Sequence, residues 1–132
     1  MIIDPRFTKT PFVNKGRSFK GADCYGILKL YYKVHLGIEI PEIIIHPDDT
    51  KKIMDTYLEE ISKNWIQIDK PEAHCAVAMN TSEKYPKRIT HFGVMIDNKR
   101  ILHTFRKWGC NVIRIDNPII STQIKGFYRW QN

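Results

Sequence analysis

The stretch PFVNKGRSFKGADCYGILKL, residues 11–30, decides how the chain is interpreted. Prolines and glycines punctuate its first half, and no apolar period emerges there. From Asp23 onward, DCYGILKLYYKVHL carries apolar residues at helical spacing, which predicts a largely buried helix over residues 23–36. Asp23 is a natural N-cap, and Gly37 stands where a helix would end in the left-handed conformation. Gly26 costs the first turn about 1 kcal/mol relative to alanine, which indicates close packing.

The rest of the chain predicts one further helix followed by strands. Apolar spacing and an acidic pair, Asp48 and Asp49, predict a second helix from about Pro47 to Lys63. After it the apolar period becomes two, which predicts strands over 65–68, 73–79, 90–96, 100–105, 111–115 and 124–130. The fourth strand returns from the third through a turn at 97–99, as in a β-hairpin. Helices followed by strands favour an α+β domain with an antiparallel sheet.

Length and composition set the class of protein. The 132 residues, 42% hydrophobic and 27% charged, fit one globular domain over 1–132. No apolar run is long enough for membrane insertion, and the N-terminal residues lack the pattern of a signal peptide, so none is expected. A net charge of +7 suggests an anionic partner. The basic residues are scattered, however, so a solvated surface explains them equally well and no specific nucleic acid is expected.

Cys24 is the cysteine best placed for chemistry. The three cysteines, Cys24, Cys75 and Cys110, are odd in number and form no CxxC pair, so neither a disulfide framework nor a structural zinc site is expected. Cys24 directly follows the predicted N-cap, where unpaired N–H groups and the helix dipole favour an anion. We therefore expect a lowered thiol pKa and a place to hold an oxyanion. The alternative is a buried cysteine that packs as a small apolar residue.

A nucleophilic cysteine needs a base, and two of the five histidines lie in the predicted hairpin. His91 opens one strand and His103 lies on the return strand at a similar distance from the turn, so both should face the same side. One imidazole could take the thiol proton while the other fixes its tautomer. The alternative is a pair of ordinary sheet histidines.

The other three histidines have simpler explanations. His35 lies near the end of the first helix, where a cation complements the dipole. His46 precedes a proline in a turn. His74 is expected in a strand beside Cys75, and neighbouring strand residues point to opposite faces, so the two should not act together.

These motifs resemble the NlpC/P60 family of cysteine peptidases. The family signature is a Pro-Tyr pair and a glycine followed by Gly-x-Asp-Cys-x-Gly-hydrophobic, and the matching residues here are Pro11, Phe12, Gly16, Gly21, Asp23, Cys24 and Gly26. The second block, His-hydrophobic-Gly-hydrophobic, is matched by His91 to Val94, and the polar residue of the third by His103. The chain departs from the pattern at Phe12, where the family has tyrosine, at Lys15, which replaces a glycine, and at residues 72–74.

The resemblance implies a papain-like fold and hydrolysis of peptide bonds in peptidoglycan stem peptides. It assigns Cys24 as nucleophile, His91 as general base and then acid, and His103 as the group that orients His91. An acyl-thioester would form and be hydrolysed by water, with no metal or organic cofactor. Asp23 and Phe12 are the implied substrate-binding residues. Asp23 would hold a substrate amine, although its role as N-cap explains it equally well.

A finer resemblance concerns YYKVHLGIEIP, residues 31–41, which is similar to the phage tail-associated branch of the family. It implies phage tail proteins as partners, and location in the virion or, before assembly, in the host cytoplasm. Two other functions stay open. One is a structural tail-assembly protein with an idle triad, and the other is a zinc site formed by Cys24, His91 and His103.

Overall fold

A computed structural model describes residues 2–43, 50–85 and 88–131, without the side chains of residues 50–54. The helices are α1 (Cys24–Tyr31), α2 (Thr50–Asn64) and α3 (Pro118–Gln123). The strands are β1 (Arg17–Ser18), β2 (Gly21–Ala22), β3 (Trp65–Ile68), β4 (Ala76–Met79), β5 (His91–Met95), β6 (Arg100–Phe105), β7 (Gly109–Arg114) and β8 (Ile124–Trp130). Within the described ranges, no helix is long and apolar enough to cross a membrane.

The helix predicted over residues 23–36 is present as α1 and a π-helical turn that follows it. The Asp23 carboxylate accepts a hydrogen bond from the Gly26 backbone N–H at 2.8 Å, which caps the first turn. The helix continues as a π-helical turn over Tyr32–Leu36 and ends at Gly37, whose φ of 65° is left-handed. A Cβ atom on Gly26 would lie 2.1 Å from the carbonyl oxygen of Gly16, so close packing does explain this glycine.

Gly26→Ala is expected to lower the free energy of unfolding by about 1–3 kcal/mol, the usual cost of overpacking. The obstacle is a backbone oxygen, which cannot swing aside as a side chain would. Urea unfolding measures the change. Gly37→Asn is the matched control, because its Cβ meets open space and asparagine tolerates the left-handed conformation. A Gly26→Ala protein as stable as the wild type would contradict the packing argument.

The main sheet is antiparallel and has six strands in the order β3-β8-β4-β5-β6-β7. Strands β1 and β2 form a separate two-stranded ribbon. Helix α1 packs against β5 on one face of the sheet, where Leu28 and Phe92 share the larger apolar core. The opposite face has a smaller core around Ile101 and Ile120. This packing brings the start of α1 close to β5.

The structure confirms most predicted elements and corrects one. β3, β6 and β8 have the predicted bounds, and β5 and β6 form the predicted hairpin. His74 was predicted in a strand, which is wrong: its φ of 74° is left-handed and places it in a turn before β4. The sequence did not predict α3, which Asn117 caps and Pro118 begins, or the β1–β2 ribbon. The predicted start of α2 at residues 47–49 and His46 lie outside the described residues.

Candidate active site

Cys24 and His91 line the same pocket, which has a volume of about 470 Å³. Cys24 is the first residue of α1, and His91 is the first residue of β5. Both side chains are largely buried, with 8% and 9% of their surface exposed. Phe12 and Asp23 also line the pocket. The fold therefore gathers four of the five predicted site residues in one pocket.

The fifth residue, His103, is fully buried on β6 and contacts His91. Its Nδ1 atom lies 3.2 Å from Nε2 of His91. Val94 pairs with Leu102 across β5 and β6, and this register puts the two histidines diagonally on one face of the sheet. Sequence reasoning expected the same face for both, and the structure places them there.

The histidine contact links the tautomers of the two rings. A hydrogen bond between two ring nitrogens needs one donor and one acceptor. When His91 donates through Nε2, its Nδ1 carries no proton and can accept one from a thiol. In the opposite arrangement Nδ1 is already protonated and cannot act as a base. In either case Nε2 of His103 is buried and makes no hydrogen bond within the described part of the chain.

Burial favours the neutral forms of the two histidines and of the Cys24 thiol. It lowers the pKa of His91, and repulsion from His103 lowers it further. Burial likewise lowers the pKa of His103 and raises the pKa of the Cys24 thiol, which the charge of Asp23 also raises. The expectation of a lowered thiol pKa is therefore wrong for the resting protein, because desolvation outweighs the hydrogen bonds from Tyr57 and from the backbone of Phe92 and Tyr25 that lower the pKa. For Cys24 to act as a nucleophile, a neutral thiol would have to lose its proton to a base.

The buried histidines predict a loss of stability on acidification. In the unfolded chain they bind protons below about pH 6.5, whereas the folded protein resists protonation because their pKa values are lowered. The stability they contribute is thus complete above that pH and falls below it, by up to about 1.4 kcal/mol per pH unit for each histidine. Urea unfolding at several pH values should show a shallower slope for His103→Asn than for the wild type. Carboxylates affect both proteins alike, so equal slopes would contradict the prediction.

Asp23 uses both carboxylate oxygens within the fold. Oδ1 accepts hydrogen bonds from the Gly26 N–H and, at 2.6 Å, from Nη1 of Arg17, and Oδ2 accepts one from the Lys15 N–H at 3.0 Å. Its role as N-cap is confirmed, while binding of a substrate amine stays a prediction. Lys15 has a φ of 63°, a left-handed conformation that suits the glycine it replaces.

Phe12 occupies the pocket wall beside a basic side chain. The guanidinium carbon of Arg106 lies 5.2 Å from the centre of the Phe12 ring, a cation–π contact. The backbone of Phe12 forms an isolated bridge with Ala22, directly before the cap of α1. Because phenylalanine has no hydroxyl group, the Phe12 side chain can contact a ligand only through its apolar ring. Its role in substrate binding stays a prediction.

Sequence reasoning missed several residues that line the pocket, and two groups of them bear on its chemistry. The first is Tyr57 on α2, whose hydroxyl oxygen lies 3.5 Å from the Cys24 sulfur. The second is the turn between β6 and β7, which we call the basic rim: Arg106, Lys107 and Trp108. Trp108 is 74% exposed. A tryptophan directly after two cations was a signal in the sequence, whereas Tyr57 looked like part of an ordinary apolar helix face.

A zinc site finds no support in the arrangement of ligand side chains. Among the described residues, no three or more histidine, cysteine, aspartate or glutamate side chains are grouped to hold a metal ion. Cys24, Cys75 and Cys110 are all free and buried. Cys24, His91 and His103 thus do not form such a group in the described part of the chain.

Solved structures share this fold. The NlpC/p60 domain of the peptidoglycan hydrolase SagA is 14% identical with a TM-score of 0.62, covering 94% of this chain and 90% of that one. An NlpC/P60 family protein from Bacillus cereus is 21% identical with a TM-score of 0.66, covering 92% of this chain and 36% of that one. An NLP/P60 family protein similar to a lipoprotein, from Staphylococcus aureus, is 17% identical with a TM-score of 0.64, covering 96% and 38%.

No family model matches this sequence, and no curated protein matches it. At identities of 14–21%, the likeness to solved structures establishes the fold. The chain has the α+β fold of NlpC/P60 domains, as the sequence resemblance predicts.

Proposed function

We propose that the protein is a cysteine peptidase that hydrolyses peptide bonds in the stem peptides of peptidoglycan. The observation that carries this proposal is the shared pocket of Cys24 and His91, with His91 hydrogen-bonded to His103. The fold supports it, because the similar structures include the NlpC/p60 domain of a peptidoglycan hydrolase.

The reaction begins when Nδ1 of His91 takes the proton from the Cys24 thiol and the sulfur attacks the amide carbonyl carbon. Backbone N–H groups at the start of α1 stabilise the resulting oxyanion. The C–N bond then breaks as the imidazolium gives its proton to the leaving amine, which leaves an acyl-thioester. Water loses a proton to His91 and attacks the thioester carbonyl carbon. The C–S bond then breaks, and the imidazolium returns its proton to the Cys24 sulfur, which restores the neutral thiol. His103 holds the productive tautomer of His91 throughout.

The basic rim favours a negatively charged substrate. Arg106 and Lys107 lie at the pocket beside the exposed Trp108, and Nζ of Lys107 is 5.3 Å from the centre of the Trp108 ring. Such cations bind free carboxylates, and an exposed indole ring offers a flat surface for stacking. Together with the net charge of +7, the rim fits an anionic cell-wall polymer better than a neutral peptide.

Incubation of the purified protein with peptidoglycan and with isolated muropeptides tests the proposal. We expect new amine ends, and mass spectrometry of the products identifies the bond that is cut. Muropeptides with different stem peptides widen the test to several substrates. A folded protein that releases no amine ends from any of them would contradict the proposed activity.

We further propose that the domain acts as a component of a phage tail, with tail proteins as partners. This narrower proposal is supported by the resemblance of residues 31–41 to the tail-associated branch of the family. Mass spectrometry of purified virions should detect the protein among the tail components. Its presence in the lysate together with its absence from virions would contradict the proposed location.

A structural tail-assembly protein with an idle triad is the second candidate, and the neutral resting state of the Cys24 thiol favours it. The two candidates differ in thiol chemistry. If the site is active, iodoacetamide should alkylate the Cys24 thiol faster than the thiols of Cys75 and Cys110. Bound muropeptide should lower the alkylation rate of Cys24. Uniformly slow alkylation without protection by muropeptide would favour the structural role.

A further inference from the structure

Tyr57 places a buried hydroxyl group on the sulfur of the candidate nucleophile. Its Oη atom is 3.5 Å from Sγ of Cys24, within hydrogen-bonding range for sulfur. The side chain is 7% exposed and lines the same pocket as Cys24 and His91. Helix α2 thus contributes to a site that the sequence assigned to α1, β5 and β6 alone.

The Tyr57 ring packs against the residues that follow His91 and Cys24 in the chain. It makes an edge contact with Phe92 at a centroid distance of 4.7 Å and stacks on Tyr25 at 6.3 Å. Phe92 follows His91 in the chain, and Tyr25 follows Cys24. The elements that position the base and the nucleophile therefore also position the Tyr57 hydroxyl.

The direction of the hydrogen bond changes when the thiol loses its proton. With a neutral thiol, either atom can donate. Burial, together with Cys24 itself, raises the pKa of Tyr57 far above its ordinary value, so the hydroxyl keeps its proton. Once Cys24 is a thiolate, Tyr57 must be the donor, and a hydrogen bond to an ionised acceptor is shorter and stronger than a neutral one.

The other titratable and charged groups around the sulfur act differently. Asp23 caps the helix that begins at Cys24, and its charge opposes negative charge on Cys24. Arg17 forms an ion pair with Asp23 at 2.6 Å and offsets part of that effect. His91 on β5 removes the proton. Tyr57 is a neutral group that can donate to the sulfur without competing for its proton.

We propose that Tyr57 is a further catalytic residue, whose hydroxyl donates a hydrogen bond to the Cys24 sulfur while that sulfur is negatively charged. No bond to Tyr57 is made or broken. The hydrogen bond stabilises the thiolate before attack and again when the acyl group leaves it. The catalytic role of Tyr57 rests on the proposed peptidase function, whereas its hydrogen bond to the thiolate does not depend on that function.

Tyr57→Phe tests the proposal, because it removes the hydroxyl and keeps the ring. The rate of Cys24 alkylation by iodoacetamide is measured against pH, with mass spectrometry of the Cys24 peptide to exclude the other cysteines. We expect the thiol pKa to rise by about 1–2 units. Muropeptide kcat/KM below that pKa should fall about tenfold to hundredfold, since each pKa unit lowers the thiolate fraction tenfold.

Tyr32→Phe is the matched control. Tyr32 is also buried, and its hydroxyl donates to the carbonyl oxygen of His74, away from the pocket. Its removal should leave the thiol pKa of Cys24 unchanged. Urea unfolding of both variants separates a local effect on the sulfur from general destabilisation.

An unchanged thiol pKa in folded Tyr57→Phe would overturn the inference. If that variant does not fold, 3-fluorotyrosine at position 57 keeps the shape and makes the hydroxyl a stronger donor. The thiol pKa should then fall, and an unchanged value would overturn the inference equally. A shifted pKa in a protein that does not cleave muropeptides would support the hydrogen bond and contradict the proposed peptidase function.

Discussion

Cys24→Ala is expected to lower muropeptide hydrolysis by roughly 10⁴-fold or more, because removal of a nucleophile eliminates the covalent route. The remaining pocket would still bind substrate, since Phe12 and the basic rim are intact. The loss should therefore fall on kcat and leave KM little changed. Steady-state assays with a soluble muropeptide measure both constants.

Cys75→Ala and Cys110→Ala are the controls for the loss of a buried thiol. Cys75 belongs to the smaller core and Cys110 lies on β7, and neither lines the pocket. Both variants should keep the wild-type kcat, although they lose some stability through cavity formation. Full activity in folded Cys24→Ala would contradict its role as nucleophile, as would an equal loss of kcat in folded Cys110→Ala.

Substitution of His103 is expected to show how much of kcat depends on the tautomer of His91, because His91 itself is kept. His103→Leu removes the acceptor for Nε2 of His91 and should lower kcat by about 10²–10⁴-fold. His103→Asn should lower it much less. From the same Cβ, the Oδ1 atom of asparagine can take the place of Nδ1 of histidine and accept the same hydrogen bond.

The pH dependence of kcat distinguishes positioning from packing. Leucine frees His91 to adopt the unproductive tautomer, so His103→Leu should lower kcat throughout the pH range, while His103→Asn keeps the wild-type shape of the profile. Urea unfolding shows whether both variants are folded. Equal kcat for folded leucine and asparagine variants would contradict the proposed role of His103.

The sequence predicted the site wherever short-range rules apply. Asp23 as N-cap and Gly37 as helix end follow from neighbours within a turn or two. The shared face of His91 and His103 follows from a tight hairpin and the two-residue period of strands. Within such segments, local chemistry leaves few alternatives.

Long-range contacts and solvent exclusion account for what the sequence did not predict. Tyr57 contacts Cys24 because α2 packs beside the start of α1, which the sequence does not show. Its place on the apolar face of the predicted helix already gave it a structural role. The raised pKa of Cys24 depends on burial, which the helix position alone does not reveal. His74 adopts a left-handed conformation that is uncommon outside glycine, so a strand was the natural expectation.

The place of β8 between β3 and β4 orders events during synthesis of the chain. Strands β4 to β7, which include those of His91 and His103, are neighbours without β8, but β3 joins them only when β8 fills the gap beside β4. Contacts between segments so far apart close slowly and late. A chain without β8 would therefore leave β3, and helix α2 that directly precedes it, without their place at the sheet, so Tyr57 would lose its position before the two histidines did.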